Sequence, residues 1–399
     1  MADMLAGRGF AAPLWVSAFR PFYLLGAIYG ALLMLFVLGA YAGIGWSPVD
    51  RVFLMVWHGH EMLFGFAAAI ICGIVLTALP SWAGTEEVSG RRLAMLVGLW
   101  LSGRLALLVP LPPLVGASVD CALFPVIAAL LLPQLLQVRN RWYLLLLPVL
   151  GALFAANVTF HAGRVIGDPT LTWFGLRLAI HAIVLLYVLK GGVLTPIFTG
   201  NALREKRRGG DIPFVMWLDA LAASSVVALA VADLARLPAA VTGVVALAAC
   251  GVHALRLARW QGWRIADLPL LWSMHLGYAW LVIALGLKAF ADLGGGVPET
   301  VWVHAFTVGS LGMMMLGLMT RVTLRHTGRP LQLPPAVVGA YLLMFAAASL
   351  RVAVAVCGLG EVWLLASALL WMAPFLIYLA LFGAMLWSPS LPREINSAS

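Results

Sequence analysis

The chain consists of long apolar runs separated by short polar connections. A helix needs about 20 apolar residues to cross a hydrocarbon core of ~30 Å. Twelve runs have this character, at 22–44, 56–80, 93–110, 114–136, 141–161, 172–198, 212–235, 238–258, 269–291, 300–322, 333–357 and 361–388. The runs are continuous and do not alternate as barrel strands do. The pattern therefore predicts an all-α fold, a polytopic membrane bundle of twelve transmembrane helices.

The connections between the runs are too short to hold another domain. Several begin or end with proline, such as PLPP at 110–113 and LQLPP at 331–335. We therefore expect residues 1–399 to form a single integral membrane domain. Arg20 and Pro21 interrupt the apolar stretch at the start of the chain, and the run that follows is long enough to span. We therefore interpret this run as a retained first helix and not a cleaved signal peptide.

The composition agrees with a membrane protein. The chain of 399 residues is 63% apolar and 10% charged, whereas soluble domains are about 25% charged. This excludes soluble folds and disordered tails. The four cysteines lie inside apolar runs without metal-ligand spacing, so we expect them to be small buried residues.

The net charge of +9 reflects topology. If the N-terminus is cytoplasmic, seventeen of the 25 basic residues fall in inner segments, three fall in outer loops and five fall within spans. Such a bias follows the positive-inside rule. It predicts that both termini are cytoplasmic, and it removes nucleic acid as the partner that a basic chain would suggest.

With the predicted orientation in the membrane, five histidines lie at about the same depth. They lie near the predicted outer surface on four spans, at His58, His60, His161, His181 and His304. Neutral imidazole is a common ligand of haem iron and copper. Five histidines at one depth therefore predict a metal-binding layer, although any one of them alone is more often a hydrogen-bonded anchor.

The HxH pair in the second span does not share one helical face. Positions i and i+2 diverge by about 200°, whereas His58 and Glu61 can lie on the same side. Glu61 is our candidate for a proton carrier or for orienting a ligand imidazole. A pair with a nearby arginine is its alternative role.

Basic residues within or near the spans need partners, because an unpaired charge facing lipid costs a few kcal/mol. Arginine suits the two propionates of haem. Arg177, one turn before His181, is the first candidate, followed by Arg164 and Arg104. For Arg104 and Arg351, an interhelical ion pair is an equal alternative.

A methionine cluster in the tenth span also has two interpretations. Met313, Met314, Met315 and Met319 offer thioethers that suit copper, but consecutive methionines point around a helix and are ordinary bundle packing.

Several segments together resemble the NnrS family. They include AFRPFYLLGA at 18–27, WHGHEMLFGFAAAIICGIVLTALPSW at 57–82 and HAFTVGSLGMMMLGLMTRVTLRHTGRP at 304–330. The resemblance implies a bacterial inner-membrane protein containing haem and copper, linked to nitric oxide metabolism and nitrosative stress. The family motifs include His58, His60, His161, His181, His275, His304 and His326. His253 matches none of them.

A second resemblance concerns architecture alone. Outer-half histidines on the second, sixth and tenth spans are similar to those of haem–copper oxidases, which would imply three four-helix repeats. That superfamily also uses histidines on the seventh span, where this chain has none. His161 on the fifth span would then substitute for them.

Together these features predict a haem b protein that binds or turns over nitric oxide, with copper as a second metal. Nitric oxide is small and apolar and can enter from the lipid bilayer. Two other classes stay open: a twelve-helix transporter, and a haem-binding sensor without catalysis.

Overall fold

The computed structural model describes residues 12–41, 43, 51–209 and 212–392. The structure is 82% helical, and these residues contain no strand. Its helices are α1 Phe19–Tyr41, α2 Arg51–His60 with Glu61–Ala67 and Ala68–Ala83, α3 Gly90–Ala106, α4 Pro113–Cys121 with Leu123–Gln137, α5 Leu146–Ile166, α6 Pro169–Glu205, α7 Met216–Leu234, α8 Ala239–Ala258, α9 Pro269–Asp292, α10 Thr300–His304 with Ala305–Leu311 and Gly312–His326, α11 Pro335–Val356 and α12 Glu361–Trp387. Two of them, α2 and α10, contain a π-helical segment, and α4 is interrupted at Ala122. The prediction of an all-α membrane bundle is confirmed.

The number of full-length spans differs slightly from the prediction. Eleven helices in the described residues are long and apolar enough to cross a membrane. The one predicted span that is not among these eleven is 93–110. It coincides with α3, which has 17 residues and is therefore about 25 Å long. The proline-rich segment 110–113 cannot continue this helix, so α3 ends before the apolar run does.

The longest helix, α6, extends beyond the predicted span 172–198 at both ends. It has 37 residues and begins at an N-cap, where the Asp168 carboxylate accepts hydrogen bonds from the backbone N–H groups of Thr170 and Leu171 at 2.8 and 3.2 Å. Capping of this kind satisfies donors that the first helical turn leaves unpaired.

Three of the helices, α2, α6 and α10, lie inside the bundle. Neighbours in the chain pack together, and α12 packs against α1. In the most apolar windows of α2, α6 and α10, 83, 72 and 78% of residues are buried, against 61% or less in the other spans. The inner helices are thus spaced by four along the chain. The likeness to haem–copper oxidases itself stays a prediction.

Both ends of the described chain meet at one face of the bundle. In α1, the buried Arg20 donates hydrogen bonds to the carbonyls of Met385, Leu386 and Ser388 at 3.1, 3.0 and 2.7 Å. A cation at a helix C-terminus complements the helix dipole. Arg20 therefore ties the beginning of α1 to the end of α12. The predicted cytoplasmic location of this face stays a prediction.

Two inner helices contain π-helical turns, which often occur at functional sites. They are Glu61–Ala67 in α2 and Ala305–Leu311 in α10. Each turn begins directly after a predicted ligand, His60 or His304.

Candidate functional site

The two histidines of the HxH motif lie at different sites. His58 lines a cavity inside the bundle. His60, which is 1% exposed, points into a polar cluster on the other side of α2. The divergence expected for positions i and i+2 is therefore what separates them.

The polar cluster is built on α2, α3, α4 and α5, and its side chains are buried. We call it the Asp120 cluster; its members are His60, Glu61, Arg104, Asp120, Asn157 and His161. Burying so many polar groups is unfavourable unless they satisfy one another. Among the side-chain atoms of these six residues, only Nε of Arg104 is buried without a hydrogen-bond partner.

The Asp120 carboxylate is the centre of this cluster. Its Oδ2 atom lies 3.1 Å from Nε2 of His60 and 2.8 Å from Nε2 of His161. Asn157 donates to the same oxygen at 2.9 Å, and its Oδ1 atom lies 2.9 Å from Nε2 of His60. Nδ1 of His60 lies 2.8 Å from Oε1 of Glu61. Both ring nitrogens of His60 therefore face oxygen atoms.

Arg104 joins the two carboxylates of the cluster. It pairs with Glu61 at 2.9 Å and with Asp120, and Tyr29 donates a further hydrogen bond to Glu61. Gly65 leaves room for this approach, because a Cβ there would lie 2.6 Å from Tyr29 and 2.9 Å from Glu61. Arg104 thus forms the interhelical ion pair that was its alternative to a haem propionate.

The Asp120 cluster offers a set of metal ligands. One donor atom each from His60, Asp120 and His161 lie within 4.8 Å of one another. Two imidazoles and one carboxylate suit a first-row transition metal and leave coordination positions open. Asn157, which bonds both His60 and Asp120, would orient these ligands.

Sequence reasoning missed Asp120 and Asn157. A signal was present, since Asp120 is the only acidic residue within the run 114–136 and Asn157 lies one turn before His161. Polar groups within spans usually face the bundle interior.

The second site is the cavity that contains His58. It has a volume of about 620 Å³ and is bounded mainly by apolar side chains of α1, α2, α6, α10 and α12. Ligand and cofactor sites are typically 300–1,000 Å³ and apolar with a few polar groups. The cavity has the size and the lining of such a site.

Polar atoms from three helices enter this cavity. Nδ1 of His58 is buried without a hydrogen-bond partner in the described structure. His304 donates from Nδ1 to the Thr300 carbonyl at 2.9 Å. Its Nε2 atom therefore carries the lone pair, and Nη2 of Arg351 lies 3.2 Å from that atom.

Charged residues surround one end of the cavity, in a network we call the rim cluster. It consists of Arg177, His181, Asp233, Lys288, Asp292 and Glu299. Nε2 of His181 lies 2.9 Å from Asp233, so this predicted metal ligand has a carboxylate partner. Arg177 lines the cavity and pairs with Glu299.

The other predicted residues, and His253, belong to neither the Asp120 cluster nor the lining of the cavity. Arg164 is exposed in the last turn of α5. Nε2 of His275 lies 2.9 Å from the Thr199 hydroxyl, His326 packs against the Phe19 ring, and His253 faces the Tyr278 hydroxyl at 2.7 Å. The structure does not bring these histidines to His58 or His60.

The methionines of α10 are core residues in this structure. Met313 lies beside Gly277 of α9, whereas Met314 lies beside Gly191 of α6. Because consecutive side chains point to different neighbours, the cluster does not offer a shared set of thioether ligands.

These features define a class: a multi-pass α-helical membrane protein with a buried histidine–carboxylate cluster and a separate histidine-lined cavity. The sequence profile of the NnrS family, described as NnrS protein, matches residues 13–390. The chain belongs to the NnrS family. Membership indicates a membrane protein of the nitric oxide response. No curated protein matches the chain.

Proposed function

We propose that this protein binds nitric oxide within the bilayer at a haem b held in the cavity, and so protects the cell against nitrosative stress. The observation that carries the proposal is the apolar cavity of about 620 Å³ that His58 and His304 line. Family membership supports the link to nitric oxide.

The residues around the cavity fit a haem. His58 would supply an imidazole ligand to the iron, and His304 is a second candidate from α10. Arg177 and Arg236 also line the cavity and would bind propionates, since arginine pairs with carboxylates in a bidentate way. Arg104 and Arg164 are not among the residues lining it.

When bound, haem would supply an iron atom that can bind nitric oxide. His58 of α2 would hold this iron, and the apolar side chains of α1 and α12 would exclude water from it. Nitric oxide is apolar and can enter this apolar cavity from the lipid.

We propose copper as the second metal, held by His60, Asp120 and His161. Both ring nitrogens of His60 face oxygen atoms. A metal that binds the Nε2 atom would therefore displace the proton from it. Glu61 accepts a hydrogen bond from Nδ1 of the same ring and is the candidate to receive a proton. Whether nitric oxide is reduced or only bound depends on an electron donor that is yet to be identified.

We place the protein in the bacterial inner membrane with both termini cytoplasmic. Arg20 and the end of α12 lie at one face, and the bias of basic residues supports a cytoplasmic location for it.

The decisive experiment is an absorption spectrum of the purified protein combined with metal analysis. We expect a haem Soret band that shifts when nitric oxide is added. If the purified protein is colourless and metal-free although cells producing it resist nitrosative stress, the proposal is overturned and a transporter is favoured. A haem that binds nitric oxide without turnover would favour a sensor.

A further inference from the structure

The acidic groups around the cavity are already paired. Asp233 lies 2.9 Å from His181 and 2.9 Å from Lys288. Glu299 pairs with Arg177 and lies 3.3 Å from Lys288. Both carboxylates therefore already have a cationic partner within the rim cluster.

Arg351 has no such compensation. In the part of the chain that the structure describes, no carboxylate lies within 4.0 Å of it. Its guanidinium donates a hydrogen bond to Nε2 of the His304 imidazole at 3.2 Å. Arg351 lies within α11 and lines the cavity. A cation inside a span that faces a cavity usually marks a binding site.

The surroundings of Arg351 suit a small oxyanion. Its guanidinium has further N–H donors in a planar fork, which matches two oxygens of a planar anion. His58 lines the same cavity as Arg351 and His304. The apolar lining would strengthen the charge–charge interaction by excluding water.

We propose that Arg351, supported by His304, binds a small planar oxyanion inside the cavity, with nitrite as the representative nitrogen oxide. The inference rests on the proposed function only in the choice of nitrite as the probe. The anion site itself follows from the uncompensated arginine.

Calorimetric titration of the purified full-length protein with nitrite, in an uncharged detergent, tests this site. Arg351→Met should weaken nitrite binding by about 10- to 100-fold, because a hydrogen bond to a charged group contributes roughly 1.5–3 kcal/mol. The nitrite affinity of Arg351→Lys should lie between those of the wild type and Arg351→Met, since lysine keeps the charge and lacks the planar set of N–H donors. Thermal unfolding of each variant checks that it is folded.

Arg321→Met is the matched control. Arg321 is also a cation on an inner helix, but its guanidinium lies 3.8 Å from the Phe198 ring and it does not line the cavity. Its removal should change nitrite affinity less than twofold. Equal loss in both variants, unchanged affinity in Arg351→Met, or no nitrite binding by the wild type would overturn the inference.

A neutral ligand separates this inference from the haem proposal. If haem is present, carbon monoxide affinity should be the same in wild type and Arg351→Met, because that ligand carries no charge. Parallel loss of both ligands would contradict an anion site. If the protein contains no haem, the haem proposal fails, and the nitrite titration still decides the role of Arg351.

Discussion

His58 and His60 lie two residues apart on α2 and serve different sites. His58 faces the cavity, whereas His60 lies 3.1 Å from Asp120 in the buried polar cluster. Because α2 passes between the two sites, single substitutions can remove a candidate ligand from one without touching the other.

We therefore predict that histidine variants divide into two groups. His58→Ala should abolish or shift the haem Soret band. His60→Ala and His161→Ala should leave that band in place and lower the content of the second metal. Visible spectra and metal analysis of the same preparations measure both effects. His253→Gln, outside both sites, serves as the control, and a bleached His60→Ala protein would contradict the separation.

The Arg104–Asp120 ion pair should make a large contribution to stability. Arg104→Met leaves Asp120 and Glu61 buried without their cation, and removing one partner of a buried pair costs about 3–5 kcal/mol. Unfolding of the detergent-solubilised protein by heat or urea measures this loss. Arg92→Met is the matched control, because the Arg92–Glu86 pair is exposed and worth at most about 1 kcal/mol.

The same pair can be tested for coupling. Asp120 also bonds both histidines and Asn157. The double variant Arg104→Met with Asp120→Asn should therefore lose less unfolding free energy than the two single variants lose in total. Strict additivity would show that the pair is not the source of the effect.

The positions of the helices could be predicted from the sequence, because each apolar run must be about as long as the bilayer is thick. The depth of the histidines followed from the same runs. Their direction around each helix did not, since it depends on how helices rotate and pack. One predicted layer of five histidines is therefore divided among the cavity, the Asp120 cluster and the rim cluster.

The partners of Asp120 likewise could not be predicted from the sequence. Its place in α4 was readable, but its four partners come from α2, α3 and α5. No spacing along the chain connects these helices. Arg104 was recognised as needing an anion, and only the packing of α3 against α4 identifies Asp120 as that anion.

Outside the membrane, we predict a pH-dependent attachment at the connection before α9. Hydrogen bonds from Arg208 and Lys206 hold the pKa of the Asp267 carboxyl below its ordinary value. A lowered folded-state pKa stabilises the fold fully above the ordinary value of about 3.9, and this is lost as the pH falls further. The Tm difference between wild type and Asp267→Asn should thus be constant near neutrality and vanish in acid. A difference that grows with acidification would contradict this sign.

The close approach of α5 and α6 gives the last prediction. A Cβ at Gly175 would lie 2.6 Å from the backbone nitrogen of Phe160 and 2.7 Å from the Ala156 carbonyl. Gly175→Ala must therefore push α5 away, and overpacking of this kind costs about 1–3 kcal/mol.

Since α5 also carries Asn157 and His161, the same substitution should move His161 away from Asp120 and weaken metal binding. Gly151→Ala on α5 is the control, because no atom lies within 4 Å of a Cβ there, and alanine should favour the helix by up to about 1 kcal/mol. Tm and metal content measured on both variants test the coupling. A destabilised Gly175→Ala protein that keeps its full complement of the second metal would show that the helix contact and the Asp120 cluster are independent.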